Sequence, residues 1–345
     1  MTKVKESSFL SWERASNEKF QWPIDAQISN YDVVFEADKL VSAPIMSVIV
    51  LTYNHHDSIE KCVASIVDQD TQYPYEILLA DDGSDDGNIE ICRQLQRRHP
   101  DKVKLLIAKR NYKSFTVNIL RAYRHLRGEY VTWCEGDDYW MGRNRVEKQI
   151  SYMLSHPEVV FSVGQMIRRV LSTGEERIFP EDLSEGTTVF IKDGYRFFHI
   201  STWCTRKDYL LSLVPVLSEV GYITDSAVLI LAEGDCGISV HKGIVSCHMV
   251  TGEGSWSSLN TNQERAARLR YLKSRYRHFP RHVHDFCAQQ LFGAYFEFAI
   301  AFAREGEVVN LLFVLLNMVK VFIKNPKAAA SYMKKRIHGR FDGNR

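Results

Sequence analysis

The sequence predicts an α/β fold, a mostly parallel β-sheet flanked by helices, followed by a C-terminal helical region. Three observations carry this. Short apolar runs rich in β-branched residues alternate with amphipathic segments between Ile45 and Cys134, polar and acidic clusters fall where those runs end, and from about Asn262 the pattern becomes wholly helical. Strands that alternate with helices of this length are joined by crossover connections, and crossovers lay the strands parallel.

Taken in order, residues 1–43 are polar and aromatic without clear periodicity and read as an extension, closed by Pro44. MSVIVLT (46–52) is the first strand. DSIEKCVASIVDQ then places Ile59, Cys62, Val63 and Ile66 on one helical face, with Asp57 and Glu60 spaced as a capping box. The cycle repeats as strand YEILLA, helix Asn88 to Arg98, strand VKLLIA, helix Ser114 to Arg127 and strand YVTWC. Beyond Gln149 the pattern predicts a helix through Leu154, a strand near Val159 to Val163 and a hairpin around Ser172-Thr173-Gly174. Helices follow at Lys207 to Leu217 and Asp225 to Glu233, then short strands near Ile238 to Val240 and Gly243 to Ser246. Leu291, Tyr295, Phe298 and Phe302 share a helical face and read as core. The expected organisation is an extension over 1–43, an α/β domain over 44–260 and a helical region over 261–345.

A chain of 345 residues, 45% hydrophobic and 25% charged, buries a substantial core and excludes wholesale disorder. A net charge of +2 gives no reason to expect a nucleic-acid partner. From Lys320 onward, however, eight Lys or Arg stand against one Asp, directly after the apolar run Val308 to Ile323. That run is interrupted by Asn310, Asn317 and Lys320 and falls short of the ~20 residues that span a bilayer. Two readings stay open: packing on its own domain, or lying on an anionic membrane surface with Lys324, Lys327, Lys334, Lys335 and Arg336 attracted to it. Seven cysteines without a CxxC pair indicate neither a disulfide framework nor a zinc ribbon. No continuous apolar stretch follows Lys3, Lys5 and Glu6, so a signal peptide is not expected. The expected location is cytoplasmic, either free or in peripheral contact with the cytoplasmic face of the membrane.

In parallel sheets ligands gather at the carboxyl ends of the strands. There the sequence puts Thr52-Tyr53-Asn54, Asp81-Asp82-Gly83-Ser84 and Glu135-Gly136-Asp137-Asp138. Asp-Asp-Gly-Ser alone is an ordinary turn sequence. Two acidic clusters at equivalent strand ends instead predict a shared cleft, where their mutual repulsion calls for a cation. Mg²⁺ or Mn²⁺ would take one or two carboxylates and complete its shell with phosphate and water, which points to a metal-diphosphate substrate.

SVIVLTYN (47–54), EILLADDGSDDG (76–87), the Asn111 to Asn118 region with GEYVTWCEGDDYW (128–140), and ISTWCTRKDYL (200–210) together resemble the family 2 glycosyltransferases, over roughly residues 45–257. The resemblance implies a GT-A-type, Rossmann-like sheet. It also implies inverting transfer of a hexosyl-type sugar from a nucleoside-diphosphate sugar, UDP foremost, to a hydroxyl on a glycan or lipid-linked acceptor. Bacterial-type surface polysaccharide synthesis and a Mn²⁺ or Mg²⁺ cofactor are part of what it implies. Position by position, Tyr53 resembles the residue that stacks on the nucleobase, and Asp82 the carboxylate on the base edge, with Asp81 beside it. Thr52, Asn54 and Asn118 fall in the same nucleotide site. Asp137 and Asp138 correspond to the motif that contacts ribose and metal, with Glu135 where many relatives have the first Asp. Trp140 either shapes the pocket or contacts the sugar.

Asp225 resembles the family's catalytic base, although an aspartate at a helix start also serves as a cap; Glu233 and Asp235 are the alternatives. CHMVTGEGSWSS has Thr251 where relatives carry a histidine. His248, three residues earlier, is either a shifted ligand to metal or diphosphate or a structural residue. Gly252-Glu253-Gly254 is expected to close over the donor. Two other classes compete. A nucleotidyltransferase should show a glycine-rich loop with Arg or Lys after the first strand, where this chain reads TYNHHD. A non-catalytic glycan- or nucleotide-binding relative is suggested by Thr251 and Glu135.

Overall fold

The computed structural model describes residues 32–35, 39–112, 115–179, 181, 184, 186, 188–189, 198–220, 224–250 and 261–337. Thr251 and the Gly252-Glu253-Gly254 loop lie outside the described residues, as do the side chains of Glu233 and Asp235. The chain forms two compact units, one within Pro23–Pro215 and Ile223–Thr251, the other drawn from Val216–Tyr222 and Gly252–Arg345.

The first unit is built on β2 (Met46–Thr52), β3 (Tyr75–Asp81), β4 (Val103–Ala108) and β5 (Tyr130–Glu135), which lie side by side in the order β4-β3-β2-β5, all parallel. Every residue of β2, β3 and β4 is buried, as expected for near-continuous apolar strands in a sheet covered on both faces. Helices α1 (Ile59–Val67), α2 (Asn88–Arg98) and α3 (Phe115–Tyr123) make the crossovers. α1 buries Ile59, Cys62, Val63 and Ile66, the face read from the sequence. Its predicted capping box does not form. Ser58 is the N-cap, and Glu60 pairs with Arg98 at 2.7 Å. The Ser58 hydroxyl donates to the Gly136 carbonyl at 2.9 Å, tying this helix start to the acidic loop after β5. α3 is shorter than predicted because its end tightens into i→i+3 bonds at Arg124, His125 and Leu126.

Two strands depart from the sequence reading. β1 (Asp32–Phe35) lies within the predicted extension and pairs antiparallel with β4 at the sheet edge. The two predicted short strands after α6 (Asp225–Cys236) are a single 13-residue strand, β11 (Ile238–Val250), whose register against β7 (Phe161–Val170) shifts between Val240 and Val245. β10 (Trp203–Arg206) inserts antiparallel between β5 and β7. β6 (Tyr139–Met141) and β9 (Thr188–Val189) flank β11, and β8 (Glu176–Phe179) closes the predicted hairpin with β7, with Gly174 at φ 70° in the turn. α4 (Arg145–Ser155) precedes β7 and α5 (Lys207–Val220) follows β10. The described cysteines other than Cys236 are all buried and free, with the sulfurs of Cys62 and Cys134 3.7 Å apart.

The second unit consists mainly of α7 (Thr261–His278), α8 (His284–Glu305), α9 (Val308–Lys324) and α10 (Pro326–Ile337). Leu291, Tyr295, Phe298 and Phe302 of α8 are buried against Leu269, Leu272, Val314 and Tyr332, as their spacing predicts. Gly293 is required there, since a Cβ would overlap the Tyr332 ring. The stretch Arg281–Glu305 is long and apolar enough to cross a membrane, and 56% of its most apolar window is buried inside the protein. α9 and α10 meet at a bend of 114°.

Candidate active site

The parallel register brings the sequence clusters to one sheet edge: Thr52 of β2 pairs with Asp81 of β3, and Leu51 pairs with Glu135 of β5. The loops after β3 and β5 are therefore two strand spacings apart, about 10 Å.

The loop after β2 is held by its own polar groups. Thr52 is buried, and its hydroxyl accepts from Asn88 Nδ2 at 3.0 Å and lies 3.3 Å from His55 Nδ1. Asn54 adopts a left-handed backbone at φ 55°, which asparagine tolerates better than most residues. Its side chain donates to Asp85 Oδ1 at 2.8 Å and accepts from the Asp85 N–H at 3.0 Å, clasping the loops after β2 and β3. Tyr53, between them, is 39% exposed and offers a free aromatic face.

The two aspartates after β3 do different work. Asp81 is fully buried; one oxygen accepts from the N–H groups of Gly83 and Ser84 (2.8 and 2.9 Å), the other from Ser84 Oγ and Asn88 Nδ2 (2.6 and 2.8 Å). It shapes the turn from within. Asp82 Oδ1 faces Arg121 Nη1 at 3.6 Å and accepts weakly from the Tyr112 N–H at 3.4 Å. Arg121 is buried, donating to the Asp81 carbonyl and, at 2.8 Å, to Asn118 Oδ1. Asn118 thus orients the guanidinium that neutralises Asp82.

The third cluster carries the densest charge. Asp138 is buried and accepts from Ser201 Oγ at 2.6 Å and the Met249 N–H at 3.1 Å; His248 Nδ1 lies 3.1 Å away, and His199 Nδ1, which accepts from the Ser201 N–H at 3.3 Å, lies 3.4 Å away. His199 Nε2 lies 3.1 Å from Glu135 Oε2, and the two histidine rings stand 4.2 Å apart. Burial disfavours charge on Asp138, but the neighbouring imidazoles and Ser201 outweigh it and lower its pKa. Burial also opposes protonation of His199, yet Asp138 and Glu135 raise it to about 10. Glu135 is raised, chiefly by burial. Asp137 is one-third exposed and pairs loosely with His55 at 3.9 Å. Trp140 is a packing residue: buried, with its Nε1 donating to the Trp133 carbonyl at 3.2 Å and the Arg145 guanidinium 4.0 Å over its ring.

Asp138, His199 and His248 offer ligand atoms within 4.8 Å of one another. One carboxylate and two imidazoles fit a divalent cation. Of the three, the sequence reading included Asp138 and His248 and missed His199. A single histidine ahead of ISTW has no spacing partner in the chain to mark it as a ligand. Asp225 opens α6 without capping it, because the Thr224 hydroxyl accepts from the Ala227 N–H at 3.3 Å. Burial raises the Asp225 pKa, while the charges of His199 and His248 and the Ile200 N–H pull it down. These causes put Asp225 within electrostatic reach of the histidine pair.

A mostly parallel α/β sheet with acidic loops at its carboxyl edge and a carboxylate-imidazole cluster beside them defines a GT-A-type domain. Residues 47–211, just under half of the chain, match the family model for glycosyl transferase family 2. An uncharacterised protein of Mycobacterium tuberculosis is 32% identical over 113 residues, 33% of this chain and 32% of that protein. TuaG of Bacillus subtilis, named as a teichuronic acid biosynthesis glycosyltransferase, is 31% identical over 111 residues, covering 32% of this chain and 42% of TuaG. The matched stretch thus spans about a third of the length of the first curated relatives. In fold, the chain is similar to residues 1–349 of Staphylococcus aureus TarS crystallised with UDP-GlcNAc, with a TM-score of 0.56 at 17% identity, covering 80% of this chain and 81% of that fragment.

Proposed function

We propose that this protein is an inverting glycosyltransferase that moves a sugar from a nucleoside diphosphate, UDP foremost, to a hydroxyl of a surface-glycan acceptor. The observation that carries the reading is the Asp138-His199-His248 cluster at the carboxyl edge, with Asp225 in the field of both imidazoles. The UDP-GlcNAc in TarS supports the nucleotide, and the polymer in the name of TuaG supports the class of acceptor.

Tyr53 offers its exposed face to the nucleobase, and Asp82, set by Arg121, accepts from the base edge. Asp138, His199 and His248 would hold the divalent ion. When bound, such an ion neutralises the diphosphate and makes it a better leaving group. Asp225 removes the proton of the acceptor hydroxyl as that oxygen bonds to the anomeric carbon. The bond to the diphosphate breaks on the opposite face, which inverts the centre.

Incubation with a panel of nucleotide sugars and Mn²⁺, read as released nucleoside diphosphate, tests this directly. Turnover with a UDP-sugar, lost in EDTA and restored by Mn²⁺, is the expected result. Release unaffected by EDTA would remove the ion from the mechanism, and no release from any donor would remove the transferase reading.

A further inference from the structure

α9 presents a long apolar stripe to solvent. Val308, Val309, Leu312, Leu316, Val319 and Ile323 recur at helical spacing on one side and are between 49% and 71% exposed. The opposite side, with Asn310, Val314 and Val321, is buried in the helical unit. A continuous exposed apolar face of this length marks a contact surface. On the flank between these two sides, Lys320 and Lys324 join Lys273 and Arg277 of α7 in lining a cavity of about 260 Å³. Tyr276, Tyr295 and Asn317 complete its polar wall, and among the described residues no carboxylate lines it. α10 adds exposed Lys327, Lys334 and Arg336.

The charge identifies the occupant. A protein partner would have to present an apolar face and, beside it, an acidic knob matched to the cavity, whereas a phospholipid leaflet supplies acyl chains and phosphate together. The length of the helix fixes its orientation. Seventeen residues rise only about 25 Å, short of the ~30 Å hydrocarbon layer. The chain then turns by 114° into α10.

We propose that α9 docks this protein on an anionic phospholipid surface, its stripe at the acyl boundary and a headgroup phosphate in the cavity of Lys273, Arg277, Lys320 and Lys324. This docking is independent of the catalytic reading, since none of these residues belongs to the site described above.

Sedimentation of the full chain with vesicles of phosphatidylcholine, alone or mixed with phosphatidylglycerol, tests it. The mixed vesicles should carry down the protein and the neutral ones should do so at least tenfold less, with the difference shrinking as salt rises. Arg277→Ala with Lys320→Ala should weaken binding to the mixed vesicles about 25-fold, at roughly fivefold for each cation removed. Leu312→Ser with Leu316→Ser should weaken binding to both. All four side chains are partly or fully exposed, and circular dichroism on each variant confirms that it is folded. Equal binding to neutral and anionic vesicles, or variants that bind like the parent, would overturn the proposal. So would membrane fractions that retain the protein in alkaline carbonate, because that is spanning. A parent chain that ignores every vesicle but binds soluble polyphosphate through Arg277 and Lys320 would assign the cavity to a soluble polyanion instead. Nucleotide-sugar turnover, measured without lipid, reports separately on the active site.

Discussion

At the residue scale, adjacent aspartates that look equivalent in the sequence carry opposite duties. Asp81 receives four donors inside the protein, so Asp81→Ala would strand buried Asn88 and Ser84 groups and cost about 2–4 kcal/mol, read as a lowered urea midpoint. Asp225→Asn should instead leave stability and UDP affinity near their starting values and reduce turnover by about 10²–10⁴-fold, since it removes the proposed base and little packing. Equal turnover in that variant would refute the assignment of the base. For His199→Ala, the loss of a direct ligand should weaken Mn²⁺ affinity by calorimetry by more than the roughly 10–100-fold that removing an outer-shell partner costs. The carboxylates were legible because they sit in motifs at strand ends. The division of labour between Asp81 and Asp82 was not, because it depends on which way the backbone aims each side chain. His199 was equally hidden, since 61 residues separate it from Asp138 and only folding makes them neighbours.

At the scale of single elements, the turn after β3 is tightly constrained. Gly83 stands at φ 73°, and a Cβ on it would meet the Arg110 carbonyl carbon and the Asn111 nitrogen at 2.6 Å. Gly83→Ala should therefore cost at least about 1–3 kcal/mol and displace Tyr112 from Asp82, raising KM for the donor more than it lowers kcat. A donor KM equal to that of the parent would show that the loop tolerates the shift. The long central strands could be read from sequence because a sheet covered on both faces demands continuous apolar runs. β1 could not, being four residues at an edge, where one face asks for no pattern. β11 reads as two strands because its register slips between Val240 and Val245, breaking the alternation midway. The capping box failed for a local reason: Glu60 found Arg98 before it could return to its own helix start.

For the molecule as a whole, an ion held by the proposed cluster would link binding to folding. Mn²⁺ at a hundredfold excess over its dissociation constant should stabilise the fold by about 2.7 kcal/mol, several degrees in Tm, and Asp138→Asn should abolish that shift. A Tm that ignores Mn²⁺ would place the cation elsewhere. The parallel half of the sheet followed from the alternation of strand and helix, but the insertion of β10 between β5 and β7 pairs segments distant in the chain and leaves no local trace. The sealed cysteines give the protein a built-in clock. Cys62, Cys92, Cys134, Cys204, Cys247 and Cys287 have no route to solvent while the fold holds, so in a Cys236→Ser background a maleimide dye can label them only when the protein breathes open. The rate at which colour accumulates then counts excursions from the native state, and a slower rate with Mn²⁺ present would measure how firmly the bound ion keeps the interior shut.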